Sequence, residues 1–257
     1  MRNDFLAPGR DPILRALARS RVLVAFDYDG VLAPLVTAPG GRTMRPGTTR
    51  LLARVAERYP VAVVSGRAWR DLARLVPIPG VVAVGNHGFE VGRPVPVPRA
   101  VLARVAAWER ELGRRLEGTP GWHVEHKRST LSVHYGLLRA WRPVERAVHA
   151  AAATLPGARL LPGKKVLNVL PADFPTKGDA VRTLLRRGRL DVALFVGDDR
   201  TDEDVFRIGA PTVVGVRVGP GATAAPHRLR SQADVDTLLR RLVALRPPGR
   251  GEGRKAP

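Results

Sequence analysis

Short apolar runs alternate along the chain with segments whose apolar residues recur at helical spacing. Five runs read as buried strands: Val22–Phe26, Val61–Val64, Val81–Val84, Val192–Val196 and Thr212–Val216. Each is short, rich in β-branched residues and closely followed by Gly, Asp or Ser. Strands covered on both faces of a parallel sheet have that character. Helices fit between them. One carries Leu51, Leu52, Val55 and Tyr59, and another carries Val181, Leu184 and Leu185. A last helix carries Val235, Leu238, Leu239, Leu242 and Val243, spaced i, i+3, i+4, i+7 and i+8. The alternation predicts an α/β core built on a parallel sheet.

The middle of the chain follows another rhythm. A proline-rich stretch, GRPVPVP, ends at Pro98, and PADFPT begins at Pro171. Between them the order of one helix and two strands occurs twice. Val101, Leu102, Val105, Leu112 and Leu116 mark the first helix, and strands near Trp122–Lys127 and Leu131–Tyr135 follow. Val144, Val148 and Leu155 mark the second helix, and strands near Arg159–Leu161 and Val166–Leu170 follow. Strands joined by tight turns pair antiparallel. Residues 99–170 therefore read as a small α+β domain inserted into a core of residues 1–98 and 171–246, with proline stiffening both connections. The tail, residues 247–257, has the composition of a disordered segment.

Composition narrows the class. Of 257 residues, 44% are hydrophobic, enough for a sizeable core. No apolar run approaches the ~18–20 residues of a membrane span, and the first residues have no apolar signal-peptide core. With no cysteine, disulfide scaffolds and thiolate metal sites are excluded. A cytoplasmic protein is expected, without membrane association, and a monomer is the default for a sequence that otherwise leaves the oligomeric state open. The formal charge is +20, carried by 38 arginines and five lysines scattered without a long basic block. Such a field attracts polyanions in a salt-dependent way and helps recruit an anionic substrate. No specific nucleic-acid function is expected from it.

The chemistry-bearing residues fall at strand ends. The first strand runs into FDYDG, so Asp27 and Asp29 stand at its carboxyl end, where ligands bind in open parallel sheets. Two carboxylates so close repel each other unless a cation lies between them. The second strand ends in VVSGR, where Ser65, Gly66 and Arg67 offer a hydroxyl and backbone N–H groups suited to an anion. The third leads into GNHGFE, with Asn86 and His87. Lys177 opens a helix, a place unfavourable to a cation unless an anion is there as well. The fourth strand ends in VGDDRTDED, with five carboxylates in residues 198–204, where composition predicts fewer than one. Some of these acids cap the following helix. The rest suit a hard cation such as Mg2+. Histidines lack paired ligand spacing, so zinc is disfavoured.

Taken in order, Asp27/Asp29, Ser65, Lys177 and Asp198/Asp199 resemble the four motifs of the haloacid dehalogenase-like (HAD) phosphohydrolases. The resemblance implies a HAD-like Rossmannoid core, with the inserted segment as a type C2 cap. It extends over roughly residues 20–245 to the trehalose-6-phosphate phosphatase family. The matching phrases are FDYDGVLAP, VSGR, GNHGFE, VEHKRSTLSVHYG, LPGKKVLNVLP and GDDRTDEDVF. The chain departs from that family's pattern at Gly136, Asn168 and Leu170.

The resemblance implies a Mg2+-dependent hydrolysis of trehalose 6-phosphate to trehalose and phosphate. Asp27 would be the nucleophile that forms an aspartyl-phosphate, and Asp29 would protonate the leaving alkoxide and then activate water. Mg2+ would be held by Asp27, the backbone carbonyl of Asp29, and Asp198. Asp199 and Asp202 would support those ligands or cap the helix. Ser65, with Gly66, and Lys177 would hold the phosphoryl oxygens. Glu125, Lys127, His134 and Asn168 in the cap, and Arg67, Asn86 and His87 in the core, would meet the sugar. The three departures motivate an alternative, a HAD phosphatase acting on another glycosyl or pseudo-sugar phosphate. The charge motivates a second, a polyanion-binding protein on a phosphatase scaffold.

Overall fold

The computed structural model describes residues 4–35, 43–163 and 165–247. The expected disordered tail and Lys164 of the GKK phrase lie outside the described residues, the tail except for Pro247. The chain divides into two compact units, residues 1–94 with 175–257, and residues 95–174.

The first unit carries helix α1 (Asp11–Arg19), strand β1 (Val22–Phe26), α2 (Pro46–Ala56), β2 (Val61–Val64), α3 (Trp69–Leu75), β3 (Val81–Gly85) and β4 (Glu90–Val91). The second unit follows with α4 (Arg99–Arg115), β5 (His123–His126), β6 (Leu131–His134), α5 (Trp141–Ala153), β7 (Ala158–Gly163) and β8 (Val166–Pro171). The chain then returns to the first unit with α6 (Lys177–Gly188), β9 (Val192–Gly197), α7 (Glu203–Phe206), β10 (Val213–Val218), β11 (His227–Leu229) and α8 (Ala233–Leu245).

The first unit holds a seven-stranded sheet in the order β11-β10-β9-β1-β2-β3-β4. All neighbours are parallel except β4, which runs antiparallel to β3. Alternate residues of the strands serve opposite faces. Val24, Phe26, Val61 and Val63 meet Leu14 and Leu17 of α1, Leu52 of α2, Leu72 of α3 and Leu238 of α8. Leu23, Ala25, Ala62 and Phe195 meet Val181 and Leu184 of α6 and Phe206 of α7. Both faces are covered, which is why the strands read as continuous apolar runs. The architecture is an α/β one, a mainly parallel sheet with helices on both faces.

In the second unit, β5-β6-β8-β7 form an antiparallel sheet. Leu131, Val133, Leu167 and Val169 are buried and alternate with the polar Ser132 and Asn168. Val105, Trp108 and Leu112 of α4 and Val148 of α5 supply further buried side chains. The Trp108 indole N–H donates to Pro156 O at 3.1 Å.

Several boundaries shift from the sequence reading. The second helix ends at Ala56 rather than reaching Tyr59, whose buried ring nevertheless donates its hydroxyl to Leu242 O at 2.9 Å. Leu116 and Leu155 also fall just past their helices. The strand expected at 212–216 runs over Val213–Val218. Helices α1 and α3 and the short edge strands β4 and β11 were not anticipated.

Candidate active site

Register fixes where the motifs meet. Phe26 pairs with Val63 on one side and Val196 on the other, so the carboxyl ends of β1, β2 and β9 stand side by side. Asp27 follows β1, Ser65 follows β2, and Asp198 follows β9. Lys177 is the first residue of α6, whose N-cap Thr176 forms a reciprocal capping box with Asp179.

Lys177 is buried, with Nζ 3.1 Å from Asp27 Oδ1 and 2.8 Å from Asp202 Oδ1. Its position at a helix N-terminus is thus offset by two carboxylates in the protein itself. Burial pulls its pKa down, but Asp202 and Asp27 outweigh that and hold the ammonium charged. Asp202 is wholly buried and fully engaged, because its Oδ2 accepts from the backbone N–H of Asp198 and of Asp199, each at 2.9 Å. Asp202 therefore shapes the loop that presents Asp198, as well as pairing Lys177. Asp199 is the N-cap of the short turn Arg200–Asp202 and exchanges capping bonds with Asp202.

Oxygens of Asp27, Asp198 and Asp202 lie within 4.8 Å of one another. Burial pushes the Asp27 carboxyl well above the usual range; Lys177 pulls it down, and Asp202 and Asp198 push it up again. Burial, with Asp202 and Asp199, raises Asp198 to about 7. Asp198 Oδ1 is buried with no hydrogen-bond partner. A cation-binding group has this signature: buried oxygens that repel each other and one left unsatisfied. The donors are all oxygen, which suits Mg2+. With both Asp202 oxygens occupied, Asp27 and Asp198 are the side chains that fit the ion.

Asp29 is held differently. Arg67 Nε donates to its Oδ2 and Arg67 Nη2 to its Oδ1, both at 2.8 Å. Ser65 Oγ accepts from the Arg67 backbone N–H at 3.2 Å. The turn after β3 braces this segment: Asn86 N–H donates to Arg67 O at 2.7 Å, and His87 N–H to Ser65 O at 3.0 Å. Asn86 and His87 both adopt left-handed backbone, φ 47° and 57°, and both are buried. The His87 ring leaves no room for a Cβ on Gly66. Glu90 anchors the turn by accepting from Asn86 Nδ2 and from the Trp69 backbone N–H, each at 2.8 Å. The sequence reading assigned Asn86 and His87 to the sugar and gave Glu90 no role.

In the second unit, Glu125 is half exposed, with its Oε2 3.1 Å from His134 Nε2 and 3.7 Å from Lys127 Nζ. His134 stacks on His123 at 4.6 Å between ring centroids. Asn168 is buried and turned into its own sheet: its Oδ1 accepts from Ser132 Oγ at 2.7 Å, and its Nδ2 donates to Leu161 O at 3.3 Å.

The profile of the family described as trehalose-phosphatase matches residues 25–234. The chain belongs to the trehalose-phosphatase family. It is 33% identical to trehalose 6-phosphate phosphatase RA3 of Zea mays, over 91% of this chain and 73% of that one. It is 34% identical to a trehalose-phosphate phosphatase of Mycobacterium marinum, over 87% of this chain and 62% of that one, so it spans under two thirds of that relative. Its fold is similar to the trehalose-6-phosphate phosphatase C-terminal domain of C. albicans, with a TM-score of 0.79 at 24% identity, covering 95% of this chain and 99% of that one. The family match takes in Asp27, Ser65, Lys177 and Asp198, and also the whole second unit.

Proposed function

We propose that this trehalose-phosphatase family member hydrolyses trehalose 6-phosphate to trehalose and phosphate through an aspartyl-phosphate on Asp27. The observation that carries the reading is the buried Asp27–Lys177 pair, with an unsatisfied oxygen of Asp198 in the same cluster. A phosphate monoester dianion entering among these carboxylates needs positive charge to be held at all. Lys177 supplies one such charge, and in this reading the Ser65 hydroxyl, whose oxygen accepts from the Arg67 N–H, donates its proton to a phosphoryl oxygen. Mg2+, held by Asp27 and Asp198 with the Asp29 carbonyl, would neutralise charge on the transferring group.

In this reading Asp27 Oδ attacks phosphorus while protonated Asp29 gives its proton to the bridging oxygen as the P–O bond breaks. The sugar leaves as an alcohol. Asp29, now a carboxylate, takes a proton from the water that attacks the Asp27 acyl phosphate, and phosphate and free Asp27 are restored. Lys177 favours the ionised form of Asp27, against the pull of burial, and orients it.

A second reading, another glycosyl phosphate as substrate, is favoured by the engagement of Asn168 with Ser132 and by the full burial of Leu170. A phosphate-release assay with Mg2+ over trehalose 6-phosphate and a panel of sugar phosphates separates the two. The first reading expects kcat/KM for trehalose 6-phosphate to exceed every other by about tenfold or more. A different sugar in first place overturns it.

A further inference from the structure

Arg67 is fixed at both ends. Its carbonyl accepts from Asn86 N–H and its own N–H is held by Ser65 Oγ, so its backbone has no slack. Its guanidinium lies with Cζ 5.6 Å from the ring centroid of Tyr28, which is wholly buried. From there its Nε and Nη2 close a two-bond fork on both oxygens of Asp29. A planar fork matches a carboxylate in a way that a point charge does not. Each Asp29 oxygen gives one lone pair to the fork and keeps another for a proton. A side chain whose fork is committed to Asp29 is poorly placed to grip a sugar.

The geometry points to Arg67 as the positioning residue of Asp29, rather than a sugar ligand. It holds the carboxyl plane in one orientation for both proton transfers, to the leaving oxygen and from the attacking water. This inference rests on the reading of Asp29 as the acid and base of the reaction.

The test uses Arg67→Lys and Arg67→Met in the full chain with Mg2+, on two substrates. Trehalose 6-phosphate has an alkoxide leaving group that needs a proton; p-nitrophenyl phosphate releases a stable anion that does not. For both variants kcat on trehalose 6-phosphate is expected to fall about 10²-fold with KM within about threefold of native. The first turnover of nitrophenolate, followed by rapid mixing, stays within about fivefold of native, while later turnovers slow because water activation also needs Asp29. A rise in KM with kcat retained, or an equal loss in the first nitrophenolate turnover, overturns the inference. So does unchanged kinetics.

Because Arg67→Met also disturbs a partly buried ion pair, the same change is made on an Asp29→Asn background. There it is expected to cost less than about threefold more. A full additional 10²-fold loss contradicts action through Asp29. If Asp29→Asn itself turns over at the native rate, the acid and base assignment fails; if only the Arg67 variants do, the inference alone fails.

Discussion

An added Cβ at Gly30 would collide with the Asp198 carboxylate, and Gly30 has φ +83°, a region that L side chains rarely adopt. Gly30→Ala therefore combines backbone strain with displacement of a proposed metal ligand. We expect it to cost about 1–3 kcal/mol of stability and about 10²-fold in turnover, read by urea unfolding and phosphate release. Native activity in a stable Gly30→Ala protein contradicts the placement of Asp198. His227 gives a second prediction at this scale. Its ring lies 4.9 Å from that of Phe5, and its Nδ1 is buried without a partner. Burial lowers its pKa from the ordinary value, and Arg10 adds to the effect. The unfolded chain thus binds the proton more readily. The stabilisation is fully present above about pH 6.5 and is lost as pH falls through that value towards the lowered folded one. Thermal midpoints stepped through this range are expected to fall with acid, less steeply in His227→Asn. An equal slope in both proteins would dismiss the effect.

The α6 N-terminus is the element on which the site depends most. Thr176 caps it, Asp179 returns the bond, and Gly88 packs directly against the Thr176 carbonyl, so the turn after β3 and the start of α6 are locked together. Thr176→Ala is expected to cost about 1 kcal/mol in urea unfolding and to lower turnover through Lys177. Unaltered unfolding would mean that the cap is redundant. At this scale the sequence was readable where periodicity is strong. The central strands are covered on both faces and announce themselves as apolar runs. The edge strands β4 and β11, of two and three residues, are too short to show a period. Side chains at strand ends could be assigned to one edge of the sheet, which brought Asp27, Ser65 and Asp198 into view, and Lys177 stood out as a cation opening a helix. Pairings between distant positions leave no such trace. Arg67 reaches Asp29 across 38 positions, and Lys177 reaches Asp202 across 25. Glu90 went unrecognised as the anchor of the Asn86–His87 turn because its second partner, the Trp69 N–H, lies 21 positions away.

On the scale of the whole molecule, net charge and the proposed divalent site give the predictions. A formal +20 draws a phosphate dianion inward, and salt screens that field. We expect kcat/KM to fall several-fold between about 20 and 200 mM salt with kcat nearly constant, measured at fixed Mg2+. A flat profile would remove any role for steering. Divalent binding to Asp27 and Asp198 should stabilise the folded chain by about 2.7 kcal/mol at a hundredfold excess over the dissociation constant, and Asp198→Asn should abolish that gain. No helix among the described residues is long and apolar enough to cross a membrane. The most direct measurement of the account is phosphate release from trehalose 6-phosphate, with Mg2+, by native protein and by Asp27→Asn of matched circular dichroism. The expected result is turnover in the first and a loss on the order of 10⁴-fold in the second; turnover by the folded variant near the native rate would contradict covalent transfer through Asp27.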